Sequence, residues 1–223
     1  MPTLHVNPYF KASETEFQNS VTKLSNEVPH LQDEQVVVEM LRIIASLGDG
    51  HTRAYPESEP VDFPRLPLEM RWVEDGLMVI SASPEYRQAV GAQVLQIGDH
   101  PLAEVYSAVK PLISADNEIQ ILDGALTYMA MPAILYGLNL IPEKDRVTFL
   151  FEARDGSQFS LELQPGARSS ELFISIYEQA GVTTPLYERN QDSYYWYQYL
   201  PESNTMYVQY NVCAEEKGKS FQS

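Results

Sequence analysis

The chain of 223 residues holds a single cysteine, Cys213. A lone cysteine closes no intrachain disulfide, and no Cys/His spacing suggests zinc. The four histidines, His5, His30, His51 and His100, stand at intervals that fit no metal motif. Basic residues are scarce, with 15 Lys and Arg against 31 Asp and Glu, a formal net charge of −16. Without a clustered basic face, such a chain is a poor partner for nucleic acid or an anionic membrane. The acidity reads as a solvated surface. No run approaches the roughly 20 apolar residues that a membrane-spanning helix requires. The opening MPTLHVNPYF lacks the basic and apolar regions of a secretory leader. Few cysteines suit the cytosol and equally an exported bacterial protein that folds without disulfides. A start Met placed after a trimmed leader is compatible with the same sequence. What remains is ordinary for a globular protein: 44% hydrophobic, 21% charged, and long enough to bury a core.

Two helices are predicted first. Ser13 and Glu16 have the spacing of a capping box, and Phe17, Val21, Leu24 and Val28 follow on one face. Pro29 ends that pattern. Asp33 is expected to cap a second helix, whose apolar face carries Val37, Met40, Leu41, Ile44 and Leu47. Gly48 then supplies the left-handed residue that closes helices at low cost. Residues 1–48 therefore read as an antiparallel helix pair.

The character changes after residue 54. YPESEPVDFPRLP holds four prolines in thirteen residues and must be looped or extended. Beyond it, two β-like runs flank Glu74-Asp75-Gly76, a hairpin signal. Two short strands surround Gly98-Asp99, which reads as a turn, and a helix follows at about 102–113 by its apolar spacing. Residues 116–141 are helix-like but interrupted by Pro132 and Gly137. Val147, Phe149 and Phe151 alternate into a turn at Asp155-Gly156, and Phe159, Leu161 and Leu163 alternate on the return. Residues 166–190 carry no clear period. The last pattern is an aromatic hairpin, Tyr194 to Leu200, a turn at 201–204, then Met206, Val208, Tyr210 and Val212 on one face. So many aromatics are expected to be buried, as strand core in preference to a sugar- or base-stacking platform. With little chain after it to cover it, the hairpin leads us to expect a fragment that stops inside a further domain.

The stretch IIASLGDGHTRAYPE poses the functional question. A buried helix ends in glycines, and His51 follows. The residues alone leave His51 either a polar helix-end residue or a base displayed at a cleft.

Three segments in order, LGDGHTRAYP, GLMVISASPEYRQAVGAQVLQIGDHPLAEV and NTMYVQYNVC, resemble the tail-specific (C-terminal processing) and tricorn-core group of serine peptidases. The resemblance implies an α+β chain in three parts. Residues 1–60 form an N-terminal helical domain. Residues 61–168 form a PDZ-like domain with a helical insertion. Residues 169–223 begin a truncated α/β, ClpP/crotonase-like peptidase core. It implies a parent that hydrolyses peptide bonds through an acyl-enzyme, with a peptide or protein as substrate, no metal or cofactor, and a compartment that is commonly exported. Homo-oligomerisation of the parent is compatible with it. In the tail-processing branch of that group the base is a lysine, implied to lie downstream of this chain, whereas in the tricorn-like branch a histidine near the N-terminal helices is the base, at a position matching His51. That histidine follows a serine, whereas here Gly50 precedes it. Asp49 and Thr52 are candidates to orient the ring.

The nucleophilic serine is implied to lie outside this chain. No serine sits in a G-x-S-x-G or S-x-x-K motif, and Ser220 and Ser223 read as surface. The fragment is therefore expected to be inactive alone. PDZ-like modules bind extended peptides by strand addition, or serve as spacers. The alternative reading is a non-catalytic peptide- or lipid-binding protein of the same architecture, as in retinoid-binding relatives.

Overall fold

The computed structural model describes Asn7, Tyr9, residues 11–166 and residues 173–214. The chain divides into two compact units, Met1–Ile176 and Tyr177–Ser223. Ser220 and Ser223 lie outside the described residues.

The first unit opens with helix α1 (Glu14–Glu27), held by the predicted capping box. The Ser13 hydroxyl accepts from the Glu16 N–H at 3.3 Å, and the Glu16 carboxylate accepts from the Ser13 N–H at 2.8 Å. Of the predicted apolar face only Leu24 is fully buried, while Val21 and Val28 stay exposed. Helix α2 (Asp33–Ala45) starts one residue differently from expectation. Gln32 is its cap, its N–H donating to Gln35 Oε1 at 3.0 Å. Asp33 is the first helical residue, where a negative charge suits the helix dipole. Val38, Leu41 and Leu47 are buried, and Met40 is turned to solvent. Gly48 has φ +70°, the left-handed closure that its position predicts.

Seven strands follow in an antiparallel sheet. They are β1 (Leu68–Val73), β2 (Gly76–Ala82), β3 (Gln93–Ile97), β4 (His100–Pro101), β5 (Val147–Glu152), β6 (Gln158–Leu163) and β7 (Ile174–Ser175). The main order is β1-β2-β3-β5-β6, with β4 on β3 and β7 on β2. Val73 pairs with Gly76, so Glu74 and Asp75 make the turn. Phe149 and Phe151, with Leu77, Val79, Val94, Ile97 and Leu163, form the sheet's contribution to the main core. Helices α3 (Leu102–Val109) and α4 (Glu118–Met129) cover that face through Val105, Val109, Ala125 and Met129. Trp72 Nε1 donates to the Leu122 carbonyl at 3.0 Å, so its polar edge is satisfied where the ring packs.

Pro132 occupies the first turn of α5 (Pro132–Gly137), where its missing N–H costs nothing. Met131 and Ile134 join Val38, Leu41 and Leu112 in a second core between α5 and α2. The unit is α+β: the helix pair, a five-strand antiparallel path and helices over one face.

The second unit carries most of α6 (Ile176–Ala180) and the hairpin β8 (Tyr195–Leu200) and β9 (Thr205–Tyr210). Tyr195 pairs with Tyr210, Tyr197 with Val208 and Tyr199 with Met206. These side chains share one face, and burial was expected for it. Only Tyr195 is buried, and the rest of the face is open: Tyr197 is 74% and Val208 59% exposed. The opposite face packs on its own unit, where Trp196 meets Tyr207 at 5.2 Å between centroids. Gln209 Nε2 donates to the Tyr187 carbonyl at 3.1 Å on that side.

Candidate functional site

The end of α2 sets the site. After Gly48 the chain makes a tight turn over Asp49–Thr52, closed by the Thr52 N–H donating to the Asp49 carbonyl at 3.2 Å. The Asp49 side chain folds back over it. Its Oδ1 accepts from the His51 N–H at 3.0 Å, and its Oδ2 accepts from the Thr52 hydroxyl at 2.7 Å. An aspartate bonding the backbone two residues ahead is a self-stabilised turn. It fixes the direction in which residue 51 leaves the chain.

A second carboxylate arrives from a distant segment. Asp116 precedes α4, and its Oδ1 accepts from the Gly50 N–H at 2.8 Å. Asp116 is itself held by its N–H donating to Gln120 Oε1 at 2.6 Å, and the Gln120 N–H donates to the helix cap Asn117 at 3.0 Å. Gly50 makes this approach possible. A Cβ there would stand 2.7 Å from Asp116 Oδ2 and 2.9 Å from Gln120 Oε1. On the other side the Arg53 Nε–H donates to the Gly50 carbonyl.

The His51 side chain, 90% exposed, projects from this frame. Its Nδ1 is 3.7 Å from Asp49 Oδ1 and 3.9 Å from Asp116 Oδ2. Both distances exceed a hydrogen bond and fall within ion-pair range. Among the described residues no hydrogen bond reaches Nε2. The arrangement presents a proton acceptor to solvent with carboxylates behind it. Of the residues suggested by sequence to orient the ring, Asp49 lies beside it, and Thr52 is turned to Asp49 instead. Asp116 was not legible beforehand. It lies in an unremarkable polar segment, and no spacing rule links residues 51 and 116.

Beside the turn lies a cavity of about 150 Å³ that shares Arg53 and Gln120 with it. Leu41, Ile44 and Leu112 give it an apolar side, and Glu57, Asp123 and Tyr128 a polar one. Glu57 accepts from Arg65 Nη2 at 2.6 Å. Burial, followed by the Glu57 charge, pushes the Tyr128 phenol up to about 12, so it stays a hydrogen-bond donor at neutral pH. A larger cavity of about 910 Å³ lies apart, between α2 and residues 60–64, with Val37, Phe63 and Ala133 as apolar walls. Among the described residues no group of three His, Cys, Asp or Glu is placed to hold a metal ion. No helix among them is long and apolar enough to cross a membrane.

No protein-family model matches the chain, and no curated protein matches it. Among solved structures, mature CPAF complexed with lactacystin aligns with a TM-score of 0.48 and 14% identity, over 79% of this chain and 34% of that one. A second structure of mature CPAF aligns at 0.45, with the same identity and coverage. The chain thus spans about a third of the length of these structures. Likeness at this level assigns neither family nor activity.

Proposed function

We propose that this chain is the N-terminal part of a serine-type endopeptidase, with His51 as the general base and the nucleophilic serine outside residues 1–223. The observation that carries the reading is the His51 imidazole on the turn that follows Gly48, its Nδ1 facing two carboxylates and its Nε2 reached by no hydrogen bond among the described residues. A serine hydroxyl attacks a peptide carbonyl only when a base takes its proton. Nε2 would accept that proton as Oγ bonds to the carbonyl carbon, then return it to the departing amine. Water, activated by the same base, would hydrolyse the acyl-enzyme.

In this reading residues 1–60 form the helical domain that presents His51. Residues 61–168 form the PDZ-like module, which would deliver an extended peptide by strand addition. Residues 169–223 begin the ClpP/crotonase-like core. Neither metal nor cofactor takes part. Export to the periplasm or cell exterior goes with this reading.

The test uses the longer reading frame that contains these residues, assayed on a denatured protein. His51→Ala should lower kcat/KM by about 10²–10⁴-fold, the usual contribution of a general base. The 223-residue chain alone should show no turnover. Wild-type turnover by the His51→Ala protein would sink the assignment.

The second reading is a non-catalytic peptide- or lipid-binding protein. The cavity of about 910 Å³ with apolar walls favours it. In that case the His51→Ala substitution would leave ligand binding untouched, and no longer frame would label with a serine-directed fluorophosphonate.

A further inference from the structure

We infer that Asp116 is the positioning residue for His51, its Oδ2 receiving the Nδ1–H of the imidazole so that Nε2 is left as the proton acceptor. This deepens the peptidase reading and rests on it for its functional meaning. Two carboxylates face Nδ1 at similar distances, 3.7 Å for Asp49 and 3.9 Å for Asp116. They differ in what else they do. Both oxygens of Asp49 are engaged in the turn, one by the His51 N–H and one by the Thr52 hydroxyl. Asp116 spends only Oδ1 on the turn, on the Gly50 N–H, and its Oδ2 points into the space that a Cβ on residue 50 would fill. Among the described residues Asp116 Oδ2 accepts no other hydrogen bond and keeps its full acceptor capacity for a ring N–H, whereas each Asp49 oxygen already shares its charge with one donor. The gap to a hydrogen bond is about 1 Å, a distance that a side-chain rotation of the exposed ring closes, and catalytic hydrogen bonds commonly tighten only with substrate bound.

The anchoring fits a positioning role. Asp116 is clamped to α4 through Gln120 and to the turn through Gly50, so it couples the base to a second element of the fold. A serine at position 50, as the resemblance would have it, would displace this carboxylate. Gly50 and Asp116 form one arrangement.

The test reads the imidazole tautomer from ring nitrogen shifts in the ¹⁵N-labelled chain, above about pH 8 where a histidine is neutral. Wild type should favour the Nδ1–H form. Asp116→Asn keeps an oxygen for the Gly50 N–H but can turn an amide donor toward the ring. It should move the ratio toward Nε2–H by about fivefold, the size of one exposed hydrogen bond. An unchanged Gly50 amide shift would show that the turn is intact. Asp116→Ala should move the ratio the same way with the Gly50 shift lost. An unmoved ratio in Asp116→Asn overturns the proposal, as does a ratio that responds to Asp49→Asn alone. Loss of the peptidase reading would show in the His51→Ala turnover assay and leave the tautomer result standing.

Discussion

Glu34 shows how one residue's placement becomes a measurable quantity. The residue is 5% exposed, yet its carboxylate is held by the Lys144 ammonium. Burial pushes the carboxyl up, but the Lys144 hydrogen bond, a backbone hydrogen bond and the Lys144 charge together outweigh it, and the group lies below its ordinary value. A depressed acid stabilises the fold above its unfolded value, near 4.5, and the contribution fades as pH falls through the folded value. The Lys144 group is raised by the same bond, so its contribution is present below about 10.5 and is lost as pH rises past the folded value. Lys144→Ala should cost about 1–2 kcal/mol at pH 7, less than for a fully buried pair because the lysine stands half in water. Urea melts should show the gap between the proteins shrinking below pH 4. An equal gap at pH 3 and pH 7 would contradict it. None of this was legible in sequence, because residues 34 and 144 belong to no common period. At the candidate site the same division holds. Gly48 and Gly50 announce a turn that displays His51, while Asp116 depends on where α4 docks.

At the scale of elements, local pattern did most of the work. The capping box, the alternation in β5 and β6 and the Gly48 closure all follow from spacing and turn chemistry. Gly137 is different. Its position in a helix looks like a weakness, since glycine costs about 1 kcal/mol against alanine there. The structure gives the reason: a Cβ would stand 2.6 Å from the Glu34 carbonyl oxygen and 2.8 Å from Val38 Cγ2. The first of these is backbone and cannot rotate away. Gly137→Ala should therefore destabilise the α2–α5 pair by about 1–3 kcal/mol despite its better helix propensity. Thermal melts read this directly, and a neutral or raised Tm would show that α5 shifts freely on α2.

Over the whole molecule, charge and apolar surface pull in opposite directions. A formal net charge of −16 keeps copies apart. The open face of the β8–β9 hairpin, with Tyr197, Tyr199, Met206 and Val208, draws apolar surfaces together. Salt screens the first effect and not the second. The isolated chain should associate more strongly as salt is raised. A Tyr197→Lys, Val208→Lys double variant should reduce that association at least several-fold with little change in folding. Sedimentation velocity across salt and protein concentration checks this, and identical profiles for the two proteins would refute it.

The sequence by itself determined the helices, the hairpins and the glycine turn that carries His51, because each depends on contacts within a few residues. It also excluded a disulfide framework, since one cysteine cannot make a bridge. Only the tertiary structure decided what surrounds that turn. The Asp116 carboxylate, the cavity beside Arg53 and the open aromatic face depend on packing between segments many residues apart. Such packing leaves no period in a chain, so it is read only from the folded molecule.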